Sequence, residues 1–150
     1  MQFSVLLFLV VAVSVAVAQF EYNQNYDALG RSFMKVYYSK FDNPNGEIRS
    51  KSLTRLYDPN CTFLLYKGQV FNTREEILAK FKHLGFQSIQ RTIKSMDLTS
   101  LPDGSILIKV LGQIQTDIEP IYSFSHVLTI RPSETGSFTI INEDFRVVKP

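Results

Sequence analysis

SILIKVLGQIQT, residues 105–116, is the stretch whose reading decides the fold. In an extended chain successive side chains point to opposite faces, so Ile106, Ile108 and Val110 fall on one side and Leu107 and Leu111 on the other. An antiparallel sheet commonly leaves one face wet, so a strand that is apolar on both belongs to a sheet covered on both. Helices can cover one face. A second copy of the chain is the simplest cover for the other, and a homodimer is therefore expected.

The same period of two extends to either side of this stretch. Strands are expected over about 89–98, 122–130 and 137–147, broken at Pro102-Asp103-Gly104, at Asp117 to Pro120 and at Pro132 to Gly136. Upstream the period changes. Tyr26 to Phe41 places Leu29, Phe33, Val36, Tyr37 and Phe41 at helical spacings and ends at Asp42-Asn43-Pro44-Asn45-Gly46. A short second helix is expected over 49–57, and two short strands, 62–66 and 69–71, flank Lys67-Gly68. Thr73 and Glu76 form a capping box for a third helix, with Ile77, Phe81 and Leu84 inward and Gly85 as a left-handed stop. Three helices followed by an antiparallel sheet is an α+β pattern.

Met1 to Ala18 reads differently. Phe3 to Val17 is apolar apart from Ser4 and Ser14, and Ala16-Val17-Ala18 is the small-x-small pattern cut before Gln19 in a secretory leader. The run is short of the roughly 20 apolar residues a spanning helix needs. A signal peptide over 1–18 and one domain over 19–150 are expected, with no membrane span after its removal. Cys61 is the one cysteine, so no internal disulfide exists, and burial is its expected fate. Asn60-Cys61-Thr62 is a sequon behind Pro59, making Asn60 a glycosylation candidate in that compartment.

Sixteen basic and fourteen acidic residues give a net charge of +2 and form no basic stripe, which argues against a nucleic-acid partner. His83 and His126 are the only histidines, and no ligand pair has zinc spacing. Phosphate-binding Gly-rich loops and nucleophile motifs are absent from the sequence, so neither a metal nor a cofactor is expected.

SFMKVYYSKFDN at 32–43, LGFQSIQRTI at 84–93, VLGQIQTDIEP at 110–120 and FTIINEDFR at 138–146 resemble the nuclear transport factor 2 family in order and spacing, over about residues 26–147. The resemblance implies a conical α+β fold, three helices wrapped on a strongly bent, mainly antiparallel sheet, dimerised through that sheet. It implies carriage of the GDP-bound small GTPase Ran into the nucleus, gripped at the mouth of the cone, and binding of Phe-Gly repeats of nucleoporins. Two acidic gripping positions match as Asp117 and Glu119, residue types suited to a partner lysine or arginine. A third departs: where the family has an aromatic residue, Glu and Gly, this chain has Tyr66, Lys67 and Gly68. Tyr26 matches an aromatic implicated in Phe-Gly binding.

Relatives sharing the cone also include isomerases, dehydratases and hydrolases, for which Asp97, His126, Tyr37, Tyr38 and Tyr122 are the candidates here, though no spacing forces any pair of them together. Taken with the leader, the sequence leads to a secreted, non-catalytic homodimeric binder located outside the cell. The alternatives are a Ran carrier of the cytoplasm and nuclear envelope and, second, a cone-fold enzyme.

Overall fold

The computed structural model describes residues 21–148. The expected leader and its Ala18–Gln19 junction lie outside the described residues. Helix α1 spans Tyr26–Phe41 and buries Gly30, Met34, Tyr37 and Phe41. The stripe expected from the apolar pattern is thus rotated by one residue, and Leu29 and Val36 face outward at 37% and 43% exposure. Gly30 is the reason, since a Cβ there would meet Leu98 Cδ2 at 2.2 Å, so its bare backbone lets the helix lie close against the sheet.

Helix α2, Gly46–Leu53, starts earlier than expected because Asn45 caps it, its Oδ1 accepting from the Ile48 amide at 3.1 Å. A 3-10 turn, Thr54–Leu56, follows. Strands β1 (Leu64–Tyr66) and β2 (Gln69–Phe71) form a hairpin whose two turn residues, Lys67 and Gly68, have φ of 48° and 84°. Two left-handed residues suit the twist of a two-residue hairpin, and Lys67 holds the first place. Helix α3, Arg74–Lys82, is capped by Thr73 Oγ1, which accepts from the Glu76 amide, while Glu76 accepts in return from the Asn72 amide. The expected left-handed stop at Gly85 does not form: the helix closes at His83, and Gly85 is not among the positive-φ glycines.

Strands β3 (Ile89–Ser100), β4 (Ile106–Thr116), β5 (Tyr122–Pro132) and β6 (Phe138–Val148) complete a six-stranded sheet in the order β2-β1-β6-β5-β4-β3. Every pairing is antiparallel except β1 with β6. Irregularities between Ile93 and Ser95 and between Thr129 and Ile130 break the register, and such bulges increase local bend and twist. The helices cover the concave side, as the α+β cone requires. On β4 the inward Ile106, Ile108 and Val110 are fully buried, whereas Leu111 on the convex side is 52% exposed.

Cys61 is exposed rather than buried. It ends a surface turn in which Asp58 Oδ1 accepts from the amides of Asn60 and Cys61, both at 2.9 Å, so the turn is held by its backbone and not by packing the thiol. Asn60 is exposed in the same turn, and Thr62 is buried.

One buried cation joins the helices. Arg49 has no exposed surface; its Nε donates to Phe41 O and Asn43 O at 2.9 and 3.0 Å, and its Nη1 to Phe81 O and Leu84 O at 2.6 and 3.1 Å. Its Cζ lies 4.2 Å from the Phe86 centroid. A single guanidinium thus satisfies carbonyls at the C-terminal ends of both α1 and α3, where the helix dipoles favour a cation. Arg49→Met, which strands those carbonyls, is expected to cost about 3 kcal/mol or more. Arg49→Lys should recover little of it, because an ammonium lacks the planar fork. Urea unfolding of both variants checks this, and a lysine variant of wild-type stability would contradict it.

Candidate functional site

The mouth of the cone opens into a cavity of about 1030 Å³. Phe41 at the end of α1, Tyr66, Phe86, Tyr122 and Phe145 make its aromatic lining, and Lys67, Asp117 and Glu119 also line it. Tyr66 stacks on Phe145 with centroids 5.3 Å apart and 14° between planes, and Phe124 continues the stack at 5.8 Å. Burial pushes the Tyr66 phenol up to about 12.

The polar residues are set by turns. Asp117, with φ of 52°, lies between β4 and β5; its Oδ1 accepts from the Gln87 and Ser88 amides, both at 2.9 Å, and its amide donates to Ser88 O at 3.1 Å. One carboxylate oxygen therefore fastens this turn to the α3–β3 connection, a role the spacing alone did not disclose. Ile118 beside it is completely exposed. The Glu119 amide donates to Thr116 O at 3.0 Å, and its side chain has no ion-pair partner among the described residues.

Across the mouth the Lys67 amide donates to Phe145 O at 3.0 Å, and its Nζ lies 5.6 Å from the Tyr66 centroid. The Lys80 Nζ, from α3, lies 5.9 Å from the same ring. Burial, and secondarily the Lys80 charge, lower the Lys67 pKa.

Four of the positions singled out by resemblance, Tyr66, the departing Lys67, Asp117 and Glu119, thus border one cavity. Tyr26 does not join them. It starts the helix that Phe41 ends, roughly 22 Å away at 1.5 Å per residue, and is half-buried against the core.

Beneath the mouth lies a polar cluster centred on Glu143, which is 1% exposed. Tyr37 Oη donates to Glu143 Oε2 at 2.6 Å and Tyr57 Oη to Oε1 at 2.5 Å. His126 Nε2 is 2.6 Å from Oε2; a carboxylate can only accept, so this nitrogen carries the hydrogen. Tyr38 Oη is 2.9 Å from His126 Nδ1 and donates to it when the ring is neutral. Burial, then the Glu143 charge, push the Tyr37 and Tyr57 phenols well above their ordinary value. Arg91 stands beside this cluster, its centre 4.2 Å from the Tyr38 centroid, held by two bonds to Asp42 at 3.1 and 2.7 Å.

Of the enzyme candidates, the fold brings together Tyr37, Tyr38 and His126, and joins them to Glu143, which sequence reasoning missed. Its signal was an inward register two residues before buried Phe145. Tyr122 stands in the cavity wall, while Asp97 is exposed on β3, opposite Lys109. Phe41, Tyr66 and Phe145 line both the mouth and a void of about 10 Å³ that touches the cluster, so this aromatic layer lies between the two. Three donors on one carboxylate hold protons in place and fix side chains. Among the described residues no group of three or more His, Cys, Asp or Glu is arranged to hold a metal ion, and no helix is long and apolar enough to cross a membrane.

Glu143→Gln places an amide against at least one of three buried donors and is expected to cost about 3 kcal/mol in urea unfolding. Alkaline pH tests the tyrosines. Phenols raised in the folded state release protons more readily when unfolded, so stability should hold below the ordinary phenol pKa of 10.0 and fall as pH rises through it. A flat stability from about pH 7 to about pH 11 would contradict the buried assignment.

Residues 29–147 match the Nuclear transport factor 2 (NTF2) domain. The chain is 44% identical over 126 residues to a Caenorhabditis elegans protein named Probable nuclear transport factor 2, covering 84% of this chain and 95% of that one. Nuclear transport factor 2B of Arabidopsis thaliana is 31% identical over 123 residues, covering 81% and 93%. The solved structure of nuclear transport factor 2 from Cryptosporidium parvum superposes with a TM-score of 0.75 at 29% identity, covering 86% of this chain and 99% of that one. These matches overturn the expected secreted binder and its extracellular location: the relatives are named for nuclear transport, and the similarity runs through the body of the chain. The composition of residues 1–18 carries no information about the partner the body is shaped for. By its domain, its relatives and its fold, the chain belongs to the nuclear transport factor 2 family.

Proposed function

We propose that the chain is a nuclear transport carrier that grips the GDP-bound small GTPase Ran at the mouth of its cone and meets Phe-Gly repeats of nucleoporins through a separate surface that includes Tyr26. The observation that carries this reading is an aromatic cavity bordered by Asp117 and Glu119, in a body 44% identical to a Probable nuclear transport factor 2. An apolar side chain of the GTPase enters the aromatic part of the cavity, and its basic residues meet Glu119 and the free oxygen of Asp117 through charge-assisted hydrogen bonds. The immobilised chain is expected to retain Ran of the same organism loaded with GDP and to release Ran loaded with GTP. Glu119→Lys should weaken retention about tenfold or more. Equal retention of both nucleotide states, or of neither, defeats the proposal.

The carrier works as a homodimer joined through the convex side of the sheet, a reading supported by Leu111, half-exposed amid an otherwise regular strand. Sedimentation equilibrium should give a dimer at micromolar concentration and a monomer for Leu111→Lys; a monomeric wild type removes this element.

A further inference from the structure

Ile118 is completely exposed and stands between Asp117 and Glu119, which both line the cavity. Its neighbours are explained by the turn they form. The Glu119 amide donates to Thr116 O at 3.0 Å, closing a four-residue turn whose first central residue, Asp117, has φ of 52°, while Ile118, the second, is not left-handed. Such a turn favours Gly, Asn or Asp at the first central place, which accounts for Asp117. The second place asks for nothing apolar, and small polar residues are its ordinary occupants. An isoleucine with all of its surface in water adds nothing to the core. The turn is also held still: Asp117 Oδ1 accepts from the Gln87 and Ser88 amides, and Gln115 Nε2 donates to Glu119 O at 3.1 Å. A β-branched side chain on a fixed turn has little freedom to lose, so covering it yields its apolar surface at small ordering cost.

From this placement we infer that Ile118 is an apolar anchor of the grip, seated in an apolar recess of the GTPase between the basic side chains that meet Asp117 and Glu119. A partner paired with both carboxylates passes over the residue between them, and an apolar contact flanked by charge pairs is shielded from water by those pairs. A second copy of the chain is a poorer occupant, because meeting this turn with its own would bring two acidic pairs together. The inference rests on the carrier reading and adds a contact directed the other way, with a side chain of this chain entering the partner.

Titration calorimetry with GDP-loaded Ran of the same organism tests it, using the full chain, Ile118→Ala and Glu119→Gln at about 50 and about 200 mM salt. Ile118→Ala is expected to bind about tenfold more weakly, by the same factor at both salt concentrations, because an apolar contact is not screened. Glu119→Gln should lose affinity mainly at the lower salt. The melting temperature and sedimentation of Ile118→Ala should match those of the parent, since its side chain touches nothing in the chain. Parental affinity in Ile118→Ala overturns the inference and leaves the carrier reading standing. A loss that disappears at the higher salt also overturns it, as does a change of oligomeric state, which would assign the residue to a contact between subunits. No binding by the parent defeats the carrier reading, and the inference falls with it.

Discussion

The structure depends on one buried carboxylate. Glu143 sits on β6 with essentially no exposure, and a charge in that position persists only if its lone pairs are filled. The donors come from three other parts of the chain: Tyr37 from α1, Tyr57 from the end of the 3-10 turn, and His126 from β5. Each of these elements is thereby fixed in rotation as well as in position, because a hydroxyl must reach a particular oxygen. Apolar packing alone tolerates small slides between a helix and a sheet; three convergent short hydrogen bonds do not.

The mouth inherits this rigidity. Tyr37 stacks on Phe41, with centroids 5.8 Å apart and 12° between planes, and His126 meets Phe145 edge-on at 5.4 Å. Two of the aromatic residues lining the cavity thus rest on members of the Glu143 cluster. Arg49 does the complementary work among the helices, tying the ends of α1 and α3 through their carbonyls. Glu143 fixes the helices against the sheet, and Arg49 fixes them against each other.

Most of the architecture was legible because its signals are local. Alternation over 105–116 identified a two-faced strand, Thr73 with Glu76 marked the start of α3, and Lys67-Gly68 marked the hairpin. What escaped is non-local. The buried stripe of α1 runs through Gly30, which no hydrophobicity pattern counts as apolar, and its use depends on Leu98 some seventy residues on. Glu143 reads as an ordinary polar residue of a strand, because β6 carries an extra residue, Ile141, opposite the Thr129–Ile130 step, and the inward positions change parity between Ile140 and Glu143. Arg49 reads as a solvated helix residue until the carbonyls it caps are in place. At the mouth, the turn nature of Asp117 was visible, but the two amides it holds belong to a segment 29 and 30 residues earlier.

The division between turns and strands also explains how a fold of this family can alter what it grips. Within the cavity lining Phe41 of α1 and Phe145 of β6 pack on members of the Glu143 cluster, and a change there disturbs the core. Lys67, Asp117 and Glu119 stand on turns, and among the described residues none of their side chains is hydrogen-bonded to Glu143 or its donors. At Lys67 the backbone requirement is a left-handed residue in a hairpin, and the side chain packs into nothing deeper than the Tyr66 face. The sign of the charge at that position is therefore nearly independent of the stability of the cone. A glutamate there gives up the ammonium's contact with the Tyr66 ring and presents the opposite sign to a partner. Recognition in this family is for that reason best read from the turn residues around the mouth, after the buried carboxylate and the aromatic layer above it have established that the mouth exists.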